Sequence, residues 1–199
     1  MISRLKKLQK YNLILATKSP RRQMLMSGMD LHFEIKVKSI VESYPQDMPF
    51  DEVPEFLAKL KAEACNRDSL KKKDIYITAD TIVVLNDEVI GKPKNKTQAK
   101  KIIKALSGQK HTVITGVCLT SSNKQHCFSS KSYVYFRELE DSDIDYYVEE
   151  YMPLDKAGAY GIQEWIGYIG IKKIEGSFYN VMGLPTQMLY EELFGFIDN

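Results

Sequence analysis

The chain has 199 residues, enough for one compact domain with a real core and too few for a multi-domain machine. Hydrophobic residues at 44% and charged residues at 27% match ordinary globular usage, which excludes disorder and a coiled-coil rod. Lys plus Arg number 28 against 26 Asp plus Glu, and a net charge of +2 predicts no extended nucleic-acid footprint while leaving room for a small anion held by a few local cations.

Cys65, Cys118 and Cys127 form neither C-x-x-C nor an even set suited to a disulfide framework, so a reducing cytoplasm is the expected compartment. The basic start, Met1 to Lys7, is followed by no apolar stretch of signal-peptide length, and no run approaches the roughly 20 apolar residues of a spanning helix. A soluble protein that neither enters a membrane nor stably binds nucleic acid is therefore expected, folded as one domain over residues 1–199.

Leu13 to Ala16 is a short apolar run leading into Thr17-Lys18-Ser19-Pro20-Arg21-Arg22. Ser19 suits an N-cap and Pro20 the first helical position, with Gly28 as the stop. Phe33 to Val37 alternates apolar and charged residues as a half-buried strand does. After an exposed Pro- and Asp-rich connection, Asp51 can cap a helix with Phe56, Leu57, Leu60 and Ala64 at helical spacing. Lys71 to Lys73 reads as a solvated loop.

Ile75 to Leu85 is the most apolar stretch and rich in β-branched residues, so it reads as one central strand or as two strands meeting at Ala79-Asp80-Thr81. Asn86-Asp87 turns the chain into a hairpin partner, Glu88 to Ile90, and Gly91-Lys92-Pro93 breaks it. Thr97 is then the expected cap of a helix ended by Gly108. His111 to Leu119 and Cys127 to Phe136 are strand candidates, Asp141 to Tyr151 a helix, Ile169 to Ile174 a strand and Pro185 to Phe194 a closing helix. This order suggests a mixed α/β sheet with helices packed on it.

Four places can carry chemistry. Arg21 and Arg22 crowd a helix N-terminus whose dipole disfavours them, which fits an anion lying between, and equally fits a solvated arginine pair. Asp80 places a carboxylate inside the most apolar segment, as a general base, a ligand for a hard cation or a capping group. Lys92 follows a strand between Gly91 and Pro93, a place for a phosphate contact. Asp155 to Gln163 is dense in small residues, and Gln163 can read a base edge or simply close a packing turn. Glu42 and Lys61 carry no local signature and read as surface charges. His32, His111 and His126 lack zinc spacing, and no G-x-S-x-G elbow, Walker A loop or G-x-G-x-x-G occurs.

Taken in order, Leu15 to Arg22, Ala79-Asp80-Thr81, Gly91-Lys92-Pro93, Leu106-Ser107-Gly108, Asp155 to Gln163 and Gly183-Leu184-Pro185 resemble the Maf family of nucleoside triphosphate pyrophosphatases, once described as septum formation inhibitors. The resemblance implies a mixed central sheet with flanking helices and two lobes around a cleft, as in inosine triphosphate pyrophosphatases, and commonly a homodimer. It implies hydrolysis of a nucleoside triphosphate to the monophosphate and pyrophosphate with Mg²⁺ or Mn²⁺. Asp80 matches the catalytic acid of the family's Ala-Asp-Thr motif, and Glu42 falls where the family places an acidic residue, giving Asp80 and Glu42 as the metal pair. Ser19, Arg21, Arg22, Lys92 and Lys61, the last from a Leu-Ala-x-x-Lys-Ala helix, fall on the expected phosphate side. Arg21, Thr81 and Gln163 resemble the branch acting on dTTP and UTP, with modified nucleotides as further expected substrates. A nucleotide-binding regulator of division with little turnover is the second reading.

Overall fold

The computed structural model describes residues 4–65 and 67–198. Its centre is a strand, β3 (Asp74–Leu85), buried along nearly all of its length, which settles the apolar run as one continuous strand. β1 (Asn12–Leu15) pairs with it in parallel, Asn12 opposite Asp74 and Leu15 opposite Ile77, and β2 (Phe33–Ile35) extends that edge in parallel. β4 (Glu88–Ile90) returns antiparallel on β3 through Asn86 and Asp87, both at positive φ (50° and 63°), the backbone a two-residue hairpin needs. β5 (Lys110–Thr120), β6 (Gln125–Phe136) and β7 (Ile171–Glu175) complete a seven-stranded sheet of order β2-β1-β3-β5-β6-β7, with β4 joined to β3 off that path. Parallel and antiparallel pairs coexist, so the sheet is mixed, as expected.

Contacts divide the chain into two compact units. The first holds residues 1–80, 115–130 and 183–199, and the second holds 81–114 and 131–182. In the first, α1 (Arg4–Leu8), α2 (Pro20–Ser27), α3 (Val53–Glu63) and α8 (Thr186–Asp198) accompany β1, β2 and the first half of β3. α3 is fixed by close packing. Gly116 on β5 runs so near its first turn that a Cβ would lie 2.3 Å from the Pro54 carbonyl, and Thr78 Oγ1 donates to Ala58 O at 2.6 Å. In the second unit α4 (Lys96–Leu106) packs on α5 (Asp141–Tyr151), and α6 (Trp165–Gly170) and α7 (Phe178–Met182) follow. No helix among the described residues is long and apolar enough to cross a membrane.

Several expectations need correction. α3 starts at Val53 with Glu52 at its N-cap position, one residue past Asp51, and no side-chain cap bond forms. Asn95, not Thr97, caps α4: its extended backbone (φ −160°) lets the side chain accept from Gln98 N at 2.9 Å. The strand expected over Ile169 to Ile174 is preceded by a short helix, α6, and spans Ile171–Glu175, because Gly167 and Gly170 allow a tight helical turn there. α1 and α7, five residues each, carry too little pattern to be read. Cys118 and Cys127 are disulfide-bonded across β5 and β6, since the Ser121–Lys124 hairpin places them opposite one another, and the step from unpaired cysteines to a reducing compartment does not hold for them.

Candidate active site

Asp80 closes the first unit's stretch of β3 and is 8% exposed. Its neighbour is set by α3. One turn beyond the Ala58 carbonyl tied to Thr78, Lys61 projects from the last turn of the helix, where a cation also suits the dipole. Lys61 Nζ lies 2.5 Å from Asp80 Oδ1, 3.1 Å from Glu42 Oε1 and 3.5 Å from Ala79 O. Glu42, from the exposed connection before α3, thus meets a half-buried lysine while remaining exposed itself. Asp80 Oδ1 is committed to Lys61, whereas Asp80 Oδ2 has no hydrogen-bond partner among the described residues.

Ser19 behaves as read. Its side chain accepts from Arg22 N and Pro20 opens α2, while Ser19 N donates to Thr17 Oγ1 at 3.1 Å, folding the loop tightly onto the helix start. Arg22 Nε donates to Gly183 O at 2.7 Å and its Nη1 to Ala79 O at 3.0 Å. Two donors of its planar fork therefore hold backbone, one of them the carbonyl immediately before Asp80. Burial lowers the Arg22 pKa, with Asp80 and Glu42 opposing that shift and Arg21 adding to it, which places all four charges within electrostatic reach.

In the second unit Thr81 follows Asp80 directly and is half-buried, and Lys92 stands exposed beside buried Pro93. Lys92 makes no ion pair among the described residues. Gln163 is half-buried, and its Oε1 is shielded from solvent with no hydrogen-bond partner. An amide oxygen left unpaired in that way costs free energy unless something donates to it.

The profile described as "Maf-like protein" matches residues 12–196. The chain belongs to the Maf family. Among similar proteins, "dTTP/UTP pyrophosphatase" of Parabacteroides distasonis is 52% identical over 190 residues, 95% of this chain and 98% of its own length. The protein of the same name from Porphyromonas gingivalis strain W83 is 48% identical over 188 residues, 94% of each. Among solved structures, the Staphylococcus aureus Ham1 protein matches at a TM-score of 0.50 and 15% identity, over 92% of this chain and 98% of that one, a likeness of fold.

For this Maf chain, the site residues divide by what could be read. Asp80 declares itself as a charge in an apolar strand, but Lys61 and Glu42 acquire meaning only once α3 is laid on β3. No group of three or more His, Cys, Asp or Glu side chains suited to a metal occurs among the described residues. Four residues of the second unit carried no expected role: Tyr147 and Glu164, hydrogen-bonded to one another, and His111 and Tyr160, 2.7 Å apart. Tyr147 lies on the apolar face of α5, so its helical spacing signalled core and concealed the hydroxyl.

Proposed function

We propose that this chain hydrolyses dTTP and UTP to the nucleoside monophosphate and pyrophosphate. The observation that carries the reading is Asp80, with one oxygen fixed by a Lys61 that also pairs with Glu42 and the other oxygen uncommitted, in a Maf chain about half identical to proteins named dTTP/UTP pyrophosphatase. A water oxygen attacks the α-phosphorus, the bond from that phosphorus to the bridging oxygen breaks, and pyrophosphate departs. Asp80 Oδ2 takes the proton of the attacking water. Lys61, Arg21 and Lys92 offset the charge gathering on the leaving group, and the Ser19-capped start of α2 adds its unpaired N–H groups. Arg22 holds the Ala79 carbonyl, and with it the middle of β3 that presents Asp80.

Asp80 and Glu42 suit a hard divalent cation, because two convergent carboxylates with the remaining positions filled by phosphate oxygens is how Mg²⁺ is usually held. When bound, Mg²⁺ or Mn²⁺ supplies charge neutralisation at the phosphate oxygens. Gln163 supports the choice of pyrimidine. Its unpaired Oε1 can accept from the imide N–H of uracil or thymine while its amide N–H donates to the adjacent carbonyl. Thr81 and Arg21 complete the expected preference for dTTP and UTP.

A panel of nucleoside triphosphates assayed for both pyrophosphate and orthophosphate, with Mg²⁺ or Mn²⁺, tests this. Pyrophosphate release from dTTP and UTP at a kcat/KM at least about tenfold above the other nucleotides is expected. Orthophosphate as the product, or tight UTP binding with no turnover, overturns it.

A further inference from the structure

Outside the charge cluster of the first unit, the second unit holds a closed polar network that the reaction does not use. Tyr147, fully buried on α5, donates its hydroxyl to Glu164 Oε2, and the Tyr147 hydroxyl oxygen in turn accepts from Gly161 N at 3.0 Å. Glu164 Oε1 pairs with Lys156 Nζ at 3.2 Å, and Lys156 is only 7% exposed. Burial and the adjacent Glu164 carboxylate raise the Tyr147 pKa well above the usual phenol range, so the hydroxyl keeps its proton.

The network closes around three residues. Gly161 lies so near Glu164 that a Cβ there would stand 2.6 Å from the carboxyl carbon, and Glu164 N donates back to Gly161 O at 3.0 Å. On the other side, a Cβ at Gly167 would fall 1.8 Å from the Ile162 carbonyl oxygen, so α6 grips the next peptide by direct backbone contact. Gln163 sits between these clamps with its Oε1 unpaired. Glu164 occupies the N-cap position of α6, yet its side chain makes no cap bond and turns to Tyr147 and Lys156 instead. A buried ionic group costs desolvation that a packed apolar side chain would avoid, so its retention beside Gln163 points to placement of that residue.

We propose that Tyr147, Glu164 and Lys156 are positioning residues for base recognition: they hold the Gly161-Ile162-Gln163 segment so that the Gln163 amide meets the imide edge of a uracil or thymine. This rests on the reading of Gln163 as the base-contacting residue. Cytosine exchanges the donor and acceptor of that edge, so preference for UTP over CTP reports how firmly the amide is held.

The test is a kinetic double-mutant cycle on the full chain with UTP and CTP. Tyr147→Phe and Glu164→Gln should each raise the KM for UTP about tenfold, the equivalent of one hydrogen bond, and shrink the UTP preference while kcat stays within about twofold. Added to Gln163→Ala, either change should have no further effect on UTP preference, because both act through the same amide. Unchanged KM and preference in Tyr147→Phe and Glu164→Gln overturn the proposal, as does a fall in kcat that tracks a lowered melting temperature at unaltered preference. If Gln163→Ala itself keeps the UTP preference, the base-reading role falls first.

Discussion

Lys61 in the first unit and Lys156 in the second each sit between two carboxylates, and their surroundings separate what the two clusters can do. Around Lys61, Asp80 keeps one oxygen without a hydrogen-bond partner and Glu42 is 48% exposed, so acceptor capacity is left for water, cation or phosphate. Around Lys156, Glu164 has a partner on each oxygen, Lys156 on one and Tyr147 on the other, while Asp155 stands 59% exposed. The same pairing of charges thus leaves an open acceptor in one place and a fully engaged carboxylate in the other. The difference lies in whether each oxygen of the buried carboxylate has a partner, a more telling criterion than the presence of a buried ion pair.

The most severe way to break the contrast is Asp80→Asn. It keeps the shape and a hydrogen-bond acceptor for Lys61 but removes the base, and turnover of UTP should fall about 10³-fold with the fold intact by circular dichroism. Wild-type turnover in that variant would remove Asp80 from the chemistry. Arg22→Ala addresses the support behind Asp80. Losing two charge-assisted bonds to the Ala79 and Gly183 carbonyls should cost about 3 kcal/mol in denaturant unfolding, with activity falling as well. An unfolding midpoint equal to wild type would show that those bonds do not hold the middle of β3 in place.

A gentler comparison uses pH and belongs to the second unit. Burial lowers the His111 pKa to about 4, while an unfolded imidazole titrates near 6.5. Between those values the unfolded chain binds more protons, so stability should be complete above about pH 6.5 and decline by up to roughly 3 kcal/mol as pH falls toward 4. His111→Phe keeps an aromatic ring against Phe136 and should remove that part of the slope, although Tyr160 loses its partner at every pH. An equal slope in the variant would assign acid sensitivity to other groups.

Much of the frame was legible because local physics sets it. Ser19 and Pro20 marked the start of α2, the β-branched run marked β3, and Asn86-Asp87 marked a hairpin. Asp141–Tyr151 was bounded correctly, its end lying where Met152 takes a left-handed backbone. What stayed hidden depends on how elements pack. Lys61 and Glu42 looked like surface charges because nothing local indicates that α3 lies with its last turn over Asp80. The bonds of Arg22 to Ala79 O and Gly183 O stayed hidden because those acceptors are distant in sequence. The Tyr147–Glu164 bond was masked by an apolar helix face, and the Cys118–Cys127 bond by an odd cysteine count.

The central claim is that water attacks the α-phosphorus of a pyrimidine triphosphate beside Asp80. It is tested most directly by turnover of UTP in ¹⁸O-labelled water, followed by mass spectrometry of both products. The label should appear in the nucleoside monophosphate, with pyrophosphate unlabelled. Label in the pyrophosphate would place the attack at the β-phosphorus and contradict the account.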